Sequence, residues 1–285
     1  MATRVYDRVA QCYDEDWGGI YTAARACYVE QIYRASKCRR LPLDTVDLGI
    51  GTGNSLLDLE RRLPLGKCIG FDLSRGMLRQ ARNKLGEKVE LMREDALLAA
   101  RRVPAESVDL VLCHFLLSFV AAEPLLDEAY RLLRPGGLFS LATSTQRSLG
   151  ELHNGRFSRT GRLLGVQREL HKASTPADHQ QCLELLRARG FTIIEDRSQR
   201  RQVHFESFND VRDWALNSGW VAASLDDPFG MRIAIATAIF ALARITMHPL
   251  YPIETHSEIS IVLARKPLEV ETRPMPELRQ AEIPV

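Results

Sequence analysis

Val46-Asp47-Leu48-Gly49-Ile50-Gly51-Thr52-Gly53 decides the fold: a short apolar strand runs into a turn with glycine at every second position, and a helix pattern follows. Glycine is needed where a side chain would clash with a ligand or where φ must be positive, so backbone here can lie against a bound molecule. Rossmann dehydrogenases use a related turn, spaced G-x-G-x-x-G, for pyrophosphate. This one is spaced G-x-G-x-G, and Asp47 stands two residues before the first glycine. A carboxylate there repels a pyrophosphate and attracts an ammonium. The turn reads as a nucleotide site whose ligand also carries an amino-acid moiety, with a purely structural glycine turn as the alternative.

Outward from the turn, apolar strands and helical patterns alternate. Thr45–Leu48, Lys67–Phe71, Val89–Met92, Val108–His114 and Leu138–Thr143 read as strands. Ser55–Arg62, Gly76–Leu85 and Leu125–Leu133 read as helices, the last closed by Arg134-Pro135-Gly136-Gly137. Ser74 suits the N-cap of the second helix. Such alternation predicts a parallel sheet built from crossovers. Beyond Ser144, Pro176–Arg189 reads as a helix, and Phe191–Arg197 and Ile259–Arg265 as strands. Helical patterns over Phe208–Asn217 and Phe229–Met247 lie between those strands, in a connection far longer than the usual 4–6 or so residues. The expected architecture is α/β: a Rossmann-like, seven-stranded, mostly parallel sheet with helices on both faces. It has an N-terminal helical lid (1–40), a cofactor-binding core (41–145), a remainder (146–265) with substrate-determining insertions at 146–178 and 203–250, and a disordered tail (266–285).

Four further sites carry chemistry. Asp72 ends the next strand about 20 residues on, where an acid can hold both ribose hydroxyls, or merely favour a helix N-terminus. Leu73 and Met77 can pack on the adenine faces, and Met77 equally suits the core. Asp95 can accept from the adenine amino group while the Ala96 N–H serves a ring nitrogen; a solvated charge cluster is the alternative. His114 follows the fourth strand, where open α/β sheets place their crevice, so it can touch the methionine part or the substrate.

This ordered set of glycine turn, Asp72, Asp95 and Arg134-Pro135-Gly136-Gly137 resembles the class I S-adenosylmethionine (SAM)-dependent methyltransferases over residues 1–145 and the last two strands. Ile50 departs from the Cys or Ser of many relatives. Tyr6-Asp7-x-x-Ala10-x-x-Tyr13-Asp14 resembles the N-terminal entry of methyltransferases acting on quinones and on malonyl-acyl carrier protein. There the helix covers SAM, which implies a lid role for Tyr13. Thr143–His153 and Phe205–Trp220 look more loosely like the malonyl-carrier enzyme. The resemblance implies SAM as cofactor, with Asp47, Gly49, Gly51, Gly53, Asp72, Leu73, Met77, Asp95, Ala96, Tyr13 and His114 at its site, S-adenosylhomocysteine (SAH) as product, and no metal. His114 and Tyr13 are the catalytic candidates. A base is needed only where the acceptor has a proton to lose, so both can equally be bystanders. Trp17, Ser118, Trp214, Trp220 and Phe240 are candidate substrate walls; sealing the core is the alternative for Trp214 and Phe240. The basic stretch Arg147, Arg156, Arg159, Arg162 can hold an acidic substrate or be a solvated loop.

Bulk properties bound the function. The 285 residues are 45% hydrophobic and 26% charged, with a net charge of +2, which gives no reason to expect nucleic acid. Six scattered cysteines without a C-x-x-C pair argue against a zinc site or disulfide framework and fit a reduced, cytoplasmic setting. Arg232 and Arg244 interrupt the longest apolar stretch, so no membrane span is expected. The reading is a methyltransferase for a small or medium organic molecule, or a carrier-bound acyl group, in cofactor or specialised-metabolite biosynthesis. Alternatives are a non-methylating or cyclising enzyme on the same fold, a non-catalytic SAM-binding module, and an RNA or protein methyltransferase.

Overall fold

The structure, a computed structural model, describes residues 2–38, 42–149, 175–217 and 251–268. The N-terminal region forms α1 (Ala2–Val9), a 3-10 turn at Trp17–Gly19 and α2 (Ile20–Ser36). The core follows as β1 (Leu43–Leu48), α3 (Asn54–Glu60), β2 (Leu65–Phe71), α4 (Arg75–Leu85) and β3 (Val89–Met92). A 3-10 helix (Ala96–Arg101), β4 (Val108–His114), α5 (Ala122–Leu132) and β5 (Leu133–Ser144) complete it. The chain ends in α6 (His179–Ala188), β6 (Thr192–Phe205), α7 (Phe208–Asn217) and β7 (Ile253–Arg265). The sheet order is β3-β2-β1-β4-β5-β7-β6. β1 to β5 pair in parallel, and β7 runs antiparallel to both β5 and β6. The order reverses between β1 and β4, so a crevice opens beyond their C-terminal ends.

Apolar runs bury both sheet faces. Leu43, Leu110 and Leu112 pack with α2, α3 and α4 on one face. Val46, Val111, Cys113 and Phe139 pack with α5 and α6 on the other. Ser74 caps α4 as its sequence predicts, accepting from the Met77 N–H at 3.1 Å.

Three boundaries differ from the sequence reading. β5 begins at Leu133, so Arg134-Pro135-Gly136-Gly137 belongs to the strand. Arg134 bridges Asp109 at 2.8 Å and Asp44 at 3.2 Å, fastening the N-terminal starts of β1, β4 and β5. β6 and β7 are far longer than expected and pair from Thr192↔Arg265 to Phe205↔Ile253. β5 covers only Ile259–Arg265 of β7, so the outer half of this ribbon projects past the sheet and meets the start of α2. There Arg201 donates to the Gly19 carbonyl at 2.7 Å and Gln199 to that of Ile20 at 3.5 Å. The polar run Ser198–Gln202 lacks apolar alternation, and its pairing partner, His256–Ser260, is more than fifty residues away, so no local pattern announces it. Lys266, the first residue of the expected tail, is buried and donates to Glu106 and to the Tyr130 and Leu133 carbonyls at 2.8, 3.2 and 3.0 Å.

Among the described residues no helix is long and apolar enough to cross a membrane, and the six cysteines are free thiols. The expected helix Phe229–Met247, most of the 146–178 insertion, Arg156, Arg159, Arg162 and the tail beyond Leu268 lie outside the described residues.

Candidate active site

The glycine turn forms as its spacing predicts, because the positions that need positive φ are glycines: Gly49, Gly51 and Gly53 lie at +84°, +54° and +81°. A Cβ at Gly53 would stand 2.7 Å from the Leu85 side chain, so that glycine lets α4 pack close to the turn. A Cβ at Gly51 would meet nothing within 4 Å, so that face of the turn is open to a ligand. Ile50 fills the space beside Gly70, where a Cβ would lie 2.4 Å from its side chain; the departure at Ile50 is thus matched by a glycine on the next strand. Asp72 sits at the end of β2, accepting from the Gly51 N–H at 3.0 Å and the Ser74 N–H at 2.8 Å. Burial holds its pKa above the ordinary carboxylate value, against the pull of these two donors.

Asp47 is buried on β1 and lines a cavity beside the turn. Burial first, and the Asp72 charge second, push its pKa up to about 8. The cavity also receives Arg25, which sequence reasoning missed. Tyr21, Arg25 and Tyr28 recur at i, i+4 and i+7 and share one face of α2, and all three line the cavity. The Arg25 Nε donates to Asp58 at 2.8 Å, and the same carboxylate accepts from Arg61 at 3.1 Å. Asp58 thus serves two guanidiniums, and Arg25 is the cation among the lining residues, beside Asp14, Asp16 and Asp47. A buried carboxyl and a guanidinium beside an open glycine turn suit the ammonium and carboxylate of an α-amino acid joined to a nucleoside, so these residues fit SAM.

His114 lines the same cavity, with both ring nitrogens engaged. Its Nδ1 shares a hydrogen bond with the Ser55 hydroxyl at 3.1 Å and its Nε2 with the Ser140 hydroxyl at 3.0 Å. The Tyr28 ring stacks on the imidazole at 3.7 Å, and the Tyr28 hydroxyl reaches Ser55 at 2.9 Å. Burial pushes the His114 pKa down to about 3. Tyr13 lines the cavity too, and burial raises its phenol pKa, as it does those of Tyr6, Tyr21 and Tyr28. Each therefore stays a neutral hydroxyl.

The N-terminal motif straps the site. Asp7 accepts from the Ser74 hydroxyl and the Gly76 N–H, both at 2.7 Å, at the N-terminus of α4. Burial alone would raise its pKa, but these bonds take it below the ordinary value. Gly76 admits this contact, since a Cβ there would come within 2.7 Å of the Asp7 carbonyl oxygen. Asp14 accepts from Thr52 and Asn54 at 2.8 Å and pairs with Lys84 at 2.5 Å. Tyr6 stands edge-on to Tyr13 and Phe119, with centroids 5.9 and 5.5 Å away. Asp7 and Asp14 were legible as motif letters but not as clasps, because their partners lie 38 to 70 residues away.

The remaining candidates scatter. Leu73 is 49% exposed and presents an apolar surface, whereas Met77 is 2% exposed and belongs to the core. Asp95 caps the 3-10 helix by accepting from the Leu97 N–H at 3.0 Å, and Ala96 is buried. Ser118 is half-buried and outside the cavity lining. Trp214 is corrected from substrate wall to core: it is 3% exposed and stands edge-on to Phe205 at 5.7 Å. Trp17 lies in the 3-10 turn beside the strap, and Trp220 and Phe240 lie outside the described residues. Among the described residues no group of three metal-ligating side chains converges.

Residues 45–137 match a family described as a methyltransferase domain. The trans-aconitate 2-methyltransferase of Azoarcus sp. (strain BH72) is 40% identical over 107 residues, covering 36% of this chain and 41% of that protein. The malonyl-[acyl-carrier protein] O-methyltransferase of Methylococcus capsulatus is 34% identical over 116 residues, covering 39% of this chain and 41% of that protein. The chain thus spans about two fifths of the length of these curated relatives. Among solved structures, the YcgJ protein of Bacillus subtilis is similar with a TM-score of 0.54 at 16% identity, covering 85% of this chain and 99% of that one. The [4+2]-cyclase SpnF is similar with a TM-score of 0.52 at 19% identity, covering 84% and 80%. At such identities the likeness concerns the fold.

Proposed function

We propose, for a chain that belongs to the class I SAM-dependent methyltransferases, a transferase that methylates a small organic acid. The observation that carries this is the cavity joining the open glycine turn, Asp47 and Arg25. In this reading Asp47 receives the cofactor ammonium and Arg25 its carboxylate. Asp72 turns from the Gly51 and Ser74 amides toward the ribose hydroxyls, Asp95 meets the adenine amino group and Leu73 covers the ring. Tyr13 and the Asp7–Asp14 strap close over the whole. Bound SAM supplies an activated methyl on a sulfonium, displaced in line by the acceptor.

The chain's work is then to align and to keep water out. Neither His114 nor the tyrosines of the cavity are suited to remove a proton at neutral pH: His114 is neutral with both nitrogens engaged, and the tyrosines hold their protons. Of the acids that line the cavity, Asp14 is tied to Thr52, Asn54 and Lys84, and Asp16 caps the start of α2. An acceptor that brings its own free lone pair, as a carboxylate does, needs no base. Two relatives are named for trans-aconitate and for a malonyl carrier protein, both acids, which supports this reading. We place the described part of the N-terminal region, residues 2–38, as a lid over this cavity.

The test is calorimetric titration with SAH, followed by methyl transfer from isotope-labelled SAM to trans-aconitate and a set of mono- and dicarboxylic acids. SAH binding and base-labile labelled esters are expected. Absence of SAH binding overturns the cofactor assignment. Label confined to base-stable products overturns the acid. A cyclase or other non-methylating reaction on this fold predicts SAH binding with no labelled product at all.

A further inference from the structure

Along β4, side chains alternate between the two sheet faces, as a strand requires. Leu110 and Leu112 pack toward α2 and α3, and Val111 and Cys113 pack toward α5. His114 continues the first series and stacks on Tyr28 of α2. Phe115 should follow Cys113 to the opposite face. It does not: its ring lines the cavity on the same side as His114 and stands edge-on to Tyr21 of α2, with centroids 4.8 Å apart at 89°. Its backbone explains how. Phe115 adopts φ +60°, in the left-handed region that non-glycine residues rarely enter. Its N–H is held by the Ala142 carbonyl at 2.7 Å. One left-handed residue thus turns the ring back over the site and sends Leu116 to the other face, where it packs beneath Gly49 of the cofactor turn.

A bulky residue in a strained conformation, lining a cavity, points to use. A glycine would adopt the same backbone without cost, yet the position carries a large aromatic. We infer that Phe115 is the specificity-determining wall of the acceptor pocket, limiting the size of the acceptor together with Tyr21. The inference rests on the methyltransferase reading above. The ring stands in the cavity that contains Asp47 and Gly49 but grips neither cofactor charge, so its removal should enlarge the acceptor space and change acceptor preference more than cofactor affinity.

The experiment compares Phe115→Gly and Phe115→Ala in the full chain by three readouts. Thermal melting tests the strain: both variants lose the ring, but only glycine relieves the left-handed backbone, so Phe115→Gly melts above Phe115→Ala, the reverse of the usual order. SAH titration should show a smaller change than the acceptor preference does, because Asp47, Arg25 and Asp72 are untouched. Trideuteromethyl-SAM is then incubated with a bacterial small-molecule extract, and labelled products are read by mass spectrometry. The variants should shift preference toward bulkier acceptors by about tenfold or more in relative kcat/KM, the range seen when apolar pocket volume changes. Phe115→Ala melting at or above Phe115→Gly, or an unchanged product profile, overturns the inference. Failure of the wild type to bind SAH or to label any product overturns the transferase reading beneath it. That failure is distinguishable because it appears before any substitution.

Discussion

Asp44 and Asp47 lie three residues apart on the same strand and live in opposite electrostatic worlds. At the N-terminal edge of the sheet, Asp44 accepts from the Lys67 N–H at 3.0 Å and meets Arg134, which also holds Asp109. At the C-terminal edge, Asp47 is buried in the cavity wall, and its pKa rises to about 8. Asp72 is pushed the same way by burial. One edge uses carboxylates to join strands and neutralises them within the fold. The other leaves two acids waiting for cationic or hydroxyl partners from outside. An unneutralised buried acid is a poor way to stabilise a protein and a good way to recognise a ligand.

The contrast can be broken most sharply at Asp72. Asp72→Ala should weaken SAH binding about 100-fold or more, the scale of two hydrogen bonds to a charged acceptor, with melting little changed. Wild-type affinity by calorimetry would remove Asp72 from the site.

Asp47 offers a pH test. A folded pKa raised to about 8 from 3.8 means that stability contributed by this group is full below pH 3.8 and is lost as pH rises through about 8. Asp47→Asn should therefore raise the melting temperature more at pH 9 than at pH 6. An ammonium arriving from the cofactor demands the ionised form. SAH binding at pH 7 should thus release a proton, visible as a dependence of the calorimetric heat on buffer ionisation enthalpy. No proton release would mean that Asp47 is not the ammonium's partner.

Arg134→Met probes the opposite edge. Its side chain is 40% exposed, so solvent screening tempers the loss to about 1–2 kcal/mol of stability. SAH affinity should stay at the wild-type value, and a parallel loss of both would erase the distinction between the two edges. Asp7→Ala removes two bonds at the α4 N-terminus and should cost about 1 kcal/mol. Its clearer signature is a faster SAH release in stopped-flow, because the strap then lacks its anchor. The smallest effect is expected at His114. With its pKa lowered to about 3 from 6.5, the methyl-transfer rate should show no limb near pH 6.5, while stability declines as pH falls below about 6.5. A limb there would restore His114 as a base.

Much of the edge around the glycine turn was legible in the chain. The G-x-G-x-G spacing, the acid two residues before it and Asp72 after the next strand are short-range features. Each is dictated by what one turn or one strand end must do. Arg25 was half-legible: its i, i+4, i+7 relation to Tyr21 and Tyr28 names a helix face, but nothing local says which face meets the turn. His114 was placed correctly at the end of β4, but the hydroxyls of Ser55 and Ser140 that engage its ring come from other elements and could not be read there. Trp214 was drawn toward the site by its aromatic character and lies in the core, where Phe205 of a strand longer than its pattern awaited it.

By itself, then, the amino-acid sequence determined the order of strands and helices, the glycine turn after β1 and the acids that flank it. Backbone conformation and apolar period are local quantities, so they can be read locally. The tertiary structure alone decided which charges are neutralised and which wait, how Asp7 and Asp14 clasp the turn, and on which side of the sheet Phe115 stands. Those depend on desolvation and on partners tens of residues away, and they exist only once the chain has closed on itself.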